Sequence, residues 1–217
     1  MTPSAQSIRF NRLALVAIPL AAAAYTYLCG RRFVHDDPAT IVYVGGLEIL
    51  QGRWPYRDFY IHCGPVLFLM EAAFLKIFGT SYLGGHLTHA AMANAVAAAL
   101  VFDIVRRRAG NSILAAAAAV LTGVWFYPIS WEMPWYNSES FFFLLVAVWM
   151  LDRGWLIMAG LVACLVIYIK QSNGAIGVFA LALYLYETRG LSHAARFAAA
   201  SAVGALALGF AFASWGG

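Results

Sequence analysis

Residues 13–29 read "LALVAIPLAAAAYTYLC", an apolar run without a charged residue, close to the roughly twenty residues that cross a bilayer as a helix. Arg9 and Arg12 precede it. The small residues Ala21 to Ala24 have the look of a signal-peptide cleavage region. Leu28 before Cys29, however, is a poor lipoprotein-type site, and more apolar runs follow. The expectation is an uncleaved first transmembrane helix with its basic flank on the cytoplasmic side.

Outward from that run the pattern repeats. The chain of 217 residues is 63% hydrophobic and only 11% charged, with mean hydropathy +0.75, whereas about a quarter of an ordinary soluble domain is charged. This composition predicts an all-α, polytopic membrane bundle, with residues 1–217 forming one transmembrane domain. Helices are expected at Leu13 to Cys29, His86 to Val105, Ser112 to Tyr127, Ser138 to Leu151, Trp155 to Ile169, Ala175 to Tyr186 and Ala198 to Phe212, about seven spans in all. Several are short, and the aromatic flanks Trp125, Phe126, Tyr127, Trp131, Trp135 and Tyr136 would extend them at the interface.

The net charge of +4 does not mark a nucleic-acid binder, because the basic residues are scattered at the ends of apolar spans. If the seven helices alternate, Arg9, Arg12, Arg106 to Arg108, Arg153, Arg189 and Arg196 fall on one side, expected to be cytoplasmic. The opposite side keeps Arg31, Arg32, Arg53, Arg57, Lys76 and Lys170, which call for another reason, such as an anion. It also takes Asp36, Asp37, Glu48, Asp58, Glu71, Glu132 and Glu139. Ionisable groups inside membrane sequence pair, face water or line a substrate path. Cys29, Cys63 and Cys164 form no CxxC pair, so neither a disulfide framework nor a structural zinc site is indicated.

The first outer loop, about residues 30–85, holds "DPATIVYVGGLEILQGRWPYRD" at residues 37–58. Asp37 reads as an N-cap, Pro38 as N1 and Gly52 as a left-handed stop. Between them Thr40, Tyr43, Leu47 and Leu50 share one face, as in a helix lying at the interface. A second short helix is expected at Val66 to Phe78, carrying Glu71 and Lys76, ended by Gly79 and lying along the surface. His35, His62, His86 and His89 could gather, and "HLTH" at residues 86–89 has helix-neighbour spacing. No acidic partner stands out in the sequence, so His86 and His89 are expected to open the second membrane helix at the interface.

The stretch from Asp36 to Ser81, with Asp37, Gly52, "PYRDF" at 55–59, "HCGP" at 62–65 and "IFG" at 77–79, resembles the first extracytoplasmic loop of GT-C glycosyltransferases. The resemblance is to the branch related to protein O-mannosyltransferases and lipid A aminoarabinose transferases. "WYNSESFFFLL" from Trp135 resembles the family's second outer loop, and "YIKQSNG" from Tyr168 its basic-polar turn. Cys63 and Gly64 depart from the family's basic residue and first proline, and such enzymes are usually longer, so this chain is expected to be the N-terminal part of one.

The resemblance implies an enzyme, of inverting type, that transfers sugar from a polyprenyl-phosphate donor to a lipid, glycan or protein acceptor at the extracytoplasmic face. It implies Asp37 as the catalytic carboxylate and Glu139 as a second acid. Arg57 and Lys170, supported by Arg53 and His62, would hold the departing phosphate. Asp36, Asp58, Tyr56, Tyr136, Asn137 and Gln171 would contact substrate or acceptor. Tyr43, Trp54, Tyr56, Tyr60 and Tyr136 read either as sugar-stacking rings or as an interfacial belt. No organic cofactor is implied. Carboxylate pairs serve metal-dependent and metal-free relatives alike, leaving a divalent cation open. The partners implied are the lipid-linked donor and membrane lipids. Two rivals stand beside this reading: a transporter with Asp37, Glu139 and Lys170 on its path, and a noncatalytic scaffold.

Overall fold

The computed structural model describes residues 5–31, 38–60, 63–125 and 136–216. Among these there are nine α-helices and no strand: α1 (Ala5–Gly30), α2 (Pro38–Leu50), α3 (Pro65–Phe78), α4 (Leu87–Ala109), α5 (Ser112–Trp125), α6 (Tyr136–Asp152), α7 (Leu156–Ile167), α8 (Gln171–Arg189) and α9 (Leu191–Gly216). A π-helical turn, Tyr82–His86, leads into α4. Helices stand at all the expected places, but the count of spans is corrected. Among the described residues, three segments are long and apolar enough to cross a membrane: Ile8–Gly30, Tyr82–Ala109 and Leu191–Trp215. Helix α7 has 12 residues, about 18 Å of rise against a hydrocarbon core of about 30 Å.

Many large apolar side chains face outward, and small ones line the closest helix contacts. Leu13, Leu20, Ile113, Leu121, Leu206 and Phe210 are exposed. The packed seams instead use Ala115 and Ala119 against Ala14, and Ala147, Ala159 and Ala163 around Leu151 and Phe197. That inversion suits a hydrocarbon solvent, in which burying large apolar groups gains little and close backbone approach gains dispersion. Polar groups lock the seams. Asn94 Nδ2 donates to Thr26 Oγ1 at 2.7 Å and to the Gly123 carbonyl at 2.8 Å, joining α1, α4 and α5. Ser201 Oγ donates to the Gly160 carbonyl at 3.0 Å between α9 and α7.

The bundle has two unlike ends. At one, Asp103 receives Arg106, Arg107 and Arg153, the last at 2.6 Å, and Arg108 reaches Asp152 at 2.6 Å. These pairs bring the C-terminal ends of α4 and α6 together, as alternating helices require. At the other end α2 and α3 pack on each other. The face of α2 that does so is Val42, Gly45, Gly46 and Ile49, a face distinct from the one that carries Tyr43, Leu47 and Leu50. A Cβ on Gly45 would lie 2.1 Å from the Phe68 ring, so the glycines admit α3. Helix α3 does not lie free along a surface. It buries Val66, Leu67, Phe68, Glu71, Ala72 and Leu75.

The chain entering α3 docks on the end of α7 by two backbone bonds, Gly64 N–H to Ile169 O at 2.9 Å and Val66 N–H to Tyr168 O at 3.1 Å. A Cβ on Gly64 would sit 1.9 Å from the Tyr168 carbonyl oxygen, so only glycine fits. Gly64→Ala is therefore expected to lower stability by about 2 kcal/mol or more, read as a fall in the thermal unfolding midpoint of the detergent-solubilised protein. An unchanged midpoint would disprove this docking.

Candidate functional site

Two polar assemblies occupy the end opposite the arginine cluster. The first is open. After α2, Gly52 takes φ +82°, and Arg53 N–H bonds back to Glu48 O at 3.0 Å, the Schellman-type stop expected from the sequence. The Arg53 side chain pairs with Glu48. Residues 54–59 form a tight loop in which Asp58 Oδ2 accepts from Trp54 N–H at 2.7 Å and from Arg57 Nη2 at 2.8 Å. The Arg57 hydrogen bond, then the Trp54 N–H, holds the Asp58 carboxyl below its usual range. Tyr56 carries φ +68° and donates its hydroxyl to the Cys63 carbonyl.

Two adjoining cavities, of about 120 and 230 Å³, share Tyr56, Pro65 and Phe212. Arg57, Trp54 and Trp215 line the first, and Gln171 and Gly64 the second. Beside them Lys170, at the N-cap of α8, donates from Nζ to Asn137 Oδ1 at 2.7 Å and stands 4.4 Å from the centre of the Tyr136 ring. Asn173 Nδ2 shares Asn137 Oδ1 at 3.3 Å. No carboxylate among the described residues pairs with Lys170. A cation next to the amide-rich N-terminus of a helix is a setting that favours an anion. Cys63 is buried, and that burial pushes its thiol up to about 11 against the pull of Lys170.

The second assembly is closed and was not legible in the sequence. Glu71 on α3 is fully buried. Its Oε1 lies 2.8 Å from His86 Nδ1, and its Oε2 lies 2.8 Å from His89 Nδ1. His89 Nε2 in turn stands 3.6 Å from Glu139 Oε1 on α6. Both histidines and Glu139 are also buried. His86 and His89 do open the second long helix, as expected, and the π-turn and the first turn of α4 also aim both rings at Glu71. The signals were the "HLTH" spacing and an acid inside an apolar helix. What was missing was that α3 folds back beside α4.

Of the anticipated site residues, Tyr56, Arg57 and Gln171 surround the cavities. Lys170, Tyr136 and Asn137 form the adjacent cluster. Glu139 sits apart in the closed assembly, Arg53 is tied to Glu48, and Asp58 is held by its own loop. Asp36, Asp37 and His62 lie outside the described residues. Among the described residues no group of three or more His, Cys, Asp or Glu is arranged to hold a metal ion. Set against family models, curated proteins and solved structures, the chain matches none.

Burial opposes ionisation of Glu71, yet the hydrogen bonds from His86 and His89 outweigh it and bring the carboxyl from 4.5 down to about 2. A group with a lowered folded pKa stabilises the fold above its unfolded value, and that contribution is lost as pH falls through the folded one. The thermal midpoint should therefore drop as pH falls from about 4.5 to about 2. Glu71→Gln should destabilise the fold at neutral pH by about 2–4 kcal/mol and flatten that acid limb. A variant that keeps the full slope would show that another carboxylate causes it.

Proposed function

We propose that this chain is a GT-C-type membrane glycosyltransferase, or the N-terminal part of one, that uses a polyprenyl-phosphate-linked sugar at the end of the bundle opposite the arginine cluster. One observation carries the reading: Lys170 at the head of α8, without an ion-paired carboxylate among the described residues, beside an aromatic-lined cavity edged by Arg57. As the bond from sugar to phosphate breaks, negative charge grows on the leaving phosphate, and Lys170 with the α8 N-terminus would stabilise it. Arg57 would serve from the cavity edge, and the rings of Tyr56 and Trp54 offer faces for the sugar.

Asp37, directly before α2, would accept the proton of the acceptor hydroxyl. The prenyl chain would lie along the apolar exterior, and positive-inside bias would put the arginine end in the cytoplasm and the site outside. Lys170 caps the start of α8 and Glu139 lies in the first turn of α6, both at one end of the bundle, which supports an interfacial site over a transport path through the middle.

With purified protein and a polyprenyl-phosphate sugar, Lys170→Gln is expected to weaken donor binding about tenfold or more, equivalent to about 1.4 kcal/mol. Asp37→Asn is expected to abolish sugar transfer while leaving donor binding intact. Donor binding unaffected by Lys170→Gln would remove Lys170 from the site. Transfer that survives Asp37→Asn would remove the base.

A further inference from the structure

The closed assembly has a property of its own, independent of sugar transfer. Two carboxyls and two imidazoles are packed without exposure, and such a group must keep its charge balanced through protons. Glu71 accepts an Nδ1–H hydrogen bond from each histidine at 2.8 Å, which turns His89 so that its Nε2 faces Glu139 Oε1 at 3.6 Å.

Aromatic rings enclose the two histidines. Phe74 stacks on the His89 ring at 4.4 Å. The Tyr82 ring lies 4.9 Å from His86, and Tyr43 of α2 lies 5.9 Å from it, edge-on. The Tyr43 hydroxyl is committed to the Thr80 carbonyl at 2.6 Å. Tyr27 of α1 donates its hydroxyl to the Leu83 carbonyl at 2.8 Å. No lysine or arginine among the described residues pairs with Glu71. The titratable groups that face His89 are thus Glu71 from α3 and Glu139 from α6.

We propose that Glu71, His89 and Glu139 form a buried proton-binding relay, in which His89, held by Glu71, exchanges one proton between its Nε2 and the Glu139 carboxylate. In the transfer the Nε2–H bond breaks and an O–H bond forms on Glu139. The imidazolium becomes a neutral ring that keeps its Nδ1 proton, and the carboxylate becomes a carboxyl. Total charge is unchanged, so the step adds no net charge to a dehydrated interior. Glu71 is a positioning residue that selects the ring tautomer and steadies the imidazolium. The relay runs from a helix at the end of the bundle, α3, through the central α4, to the first turn of α6, where Asn137 meets Lys170.

The test is an infrared pH titration of the full chain in lipid nanodiscs, with the carboxyl band of Glu139 assigned by its loss in Glu139→Gln. The band should titrate within roughly pH 4 to 9. His89→Gln should move its midpoint upward by about one pH unit or more, a tenfold gain in proton affinity, because the neighbouring cation is gone. His86→Gln, which removes a donor to Glu71 but none facing Glu139, should leave the midpoint in place. A Glu139 band that does not titrate, that ignores His89→Gln, or that shifts equally in His86→Gln overturns the relay. Should His89→Gln fail to fold, nitrogen NMR of the unaltered protein decides. An Nδ1–H ring whose Nε2 signal moves with the carboxyl midpoint supports the relay, and a ring fixed as the Nε2–H tautomer refutes it.

Discussion

The end of the bundle opposite the arginine cluster depends on one buried carboxylate. Glu71 sits on a helix too short to cross a membrane, and it points away from lipid into the interior between α3 and α4. An isolated charge there would cost several kcal/mol, but two imidazole N–H groups at 2.8 Å offset that cost. The bonds do more than neutralise. They clamp α3 against the π-turn and α4, so the segment before α3 is held at the end of α7. Gly64 and Val66 then bond to Ile169 and Tyr168, and the cavity at Tyr56 and Gln171 is a product of that placement.

The closest helix contacts of the bundle are made by small and hydrogen-bonding residues, and the reason is the solvent. Apolar bulk gains little by hiding from lipid, so many Leu and Phe side chains stay outside while Ala, Gly, Ser, Thr and Asn bring the backbones together. Gly160 over the Phe197 carbonyl and Gly123 over Ala22 show how close the backbones come. Helix α4 is the axis of this arrangement: 56% of its membrane-length window is buried, against 11% for α9.

Much of this was legible beforehand. Apolar runs located the helices, Pro38 and Gly52 bounded α2, and the scatter of arginines separated the two ends. The number of long spans was not, because helix length depends on where backbone bonding stops, and α7 ends at Ile167 although apolar sequence continues to Ile169. The packing face of α2 was not readable beforehand, because periodicity weighs side-chain bulk, whereas the contact is made by Gly45 and Gly46, where bulk is absent. Glu71 with His86 and His89 escaped for a related reason: the pairing joins residues from two elements, and no local rule says that α3 turns back onto α4.

The open and closed assemblies meet in one helical turn, and helix geometry explains why one turn serves both. Asn137 and Glu139 are two positions apart, so at about 100° per residue their side chains leave α6 on nearly opposite sides. Asn137 faces Lys170 and α8, while Glu139 faces His89 and α4. A sideways shift of this turn toward α8 is a shift away from α4, since both side chains ride on the same backbone. The amide that meets the cation beside the cavity and the carboxylate in the core are thus carried by one turn of α6.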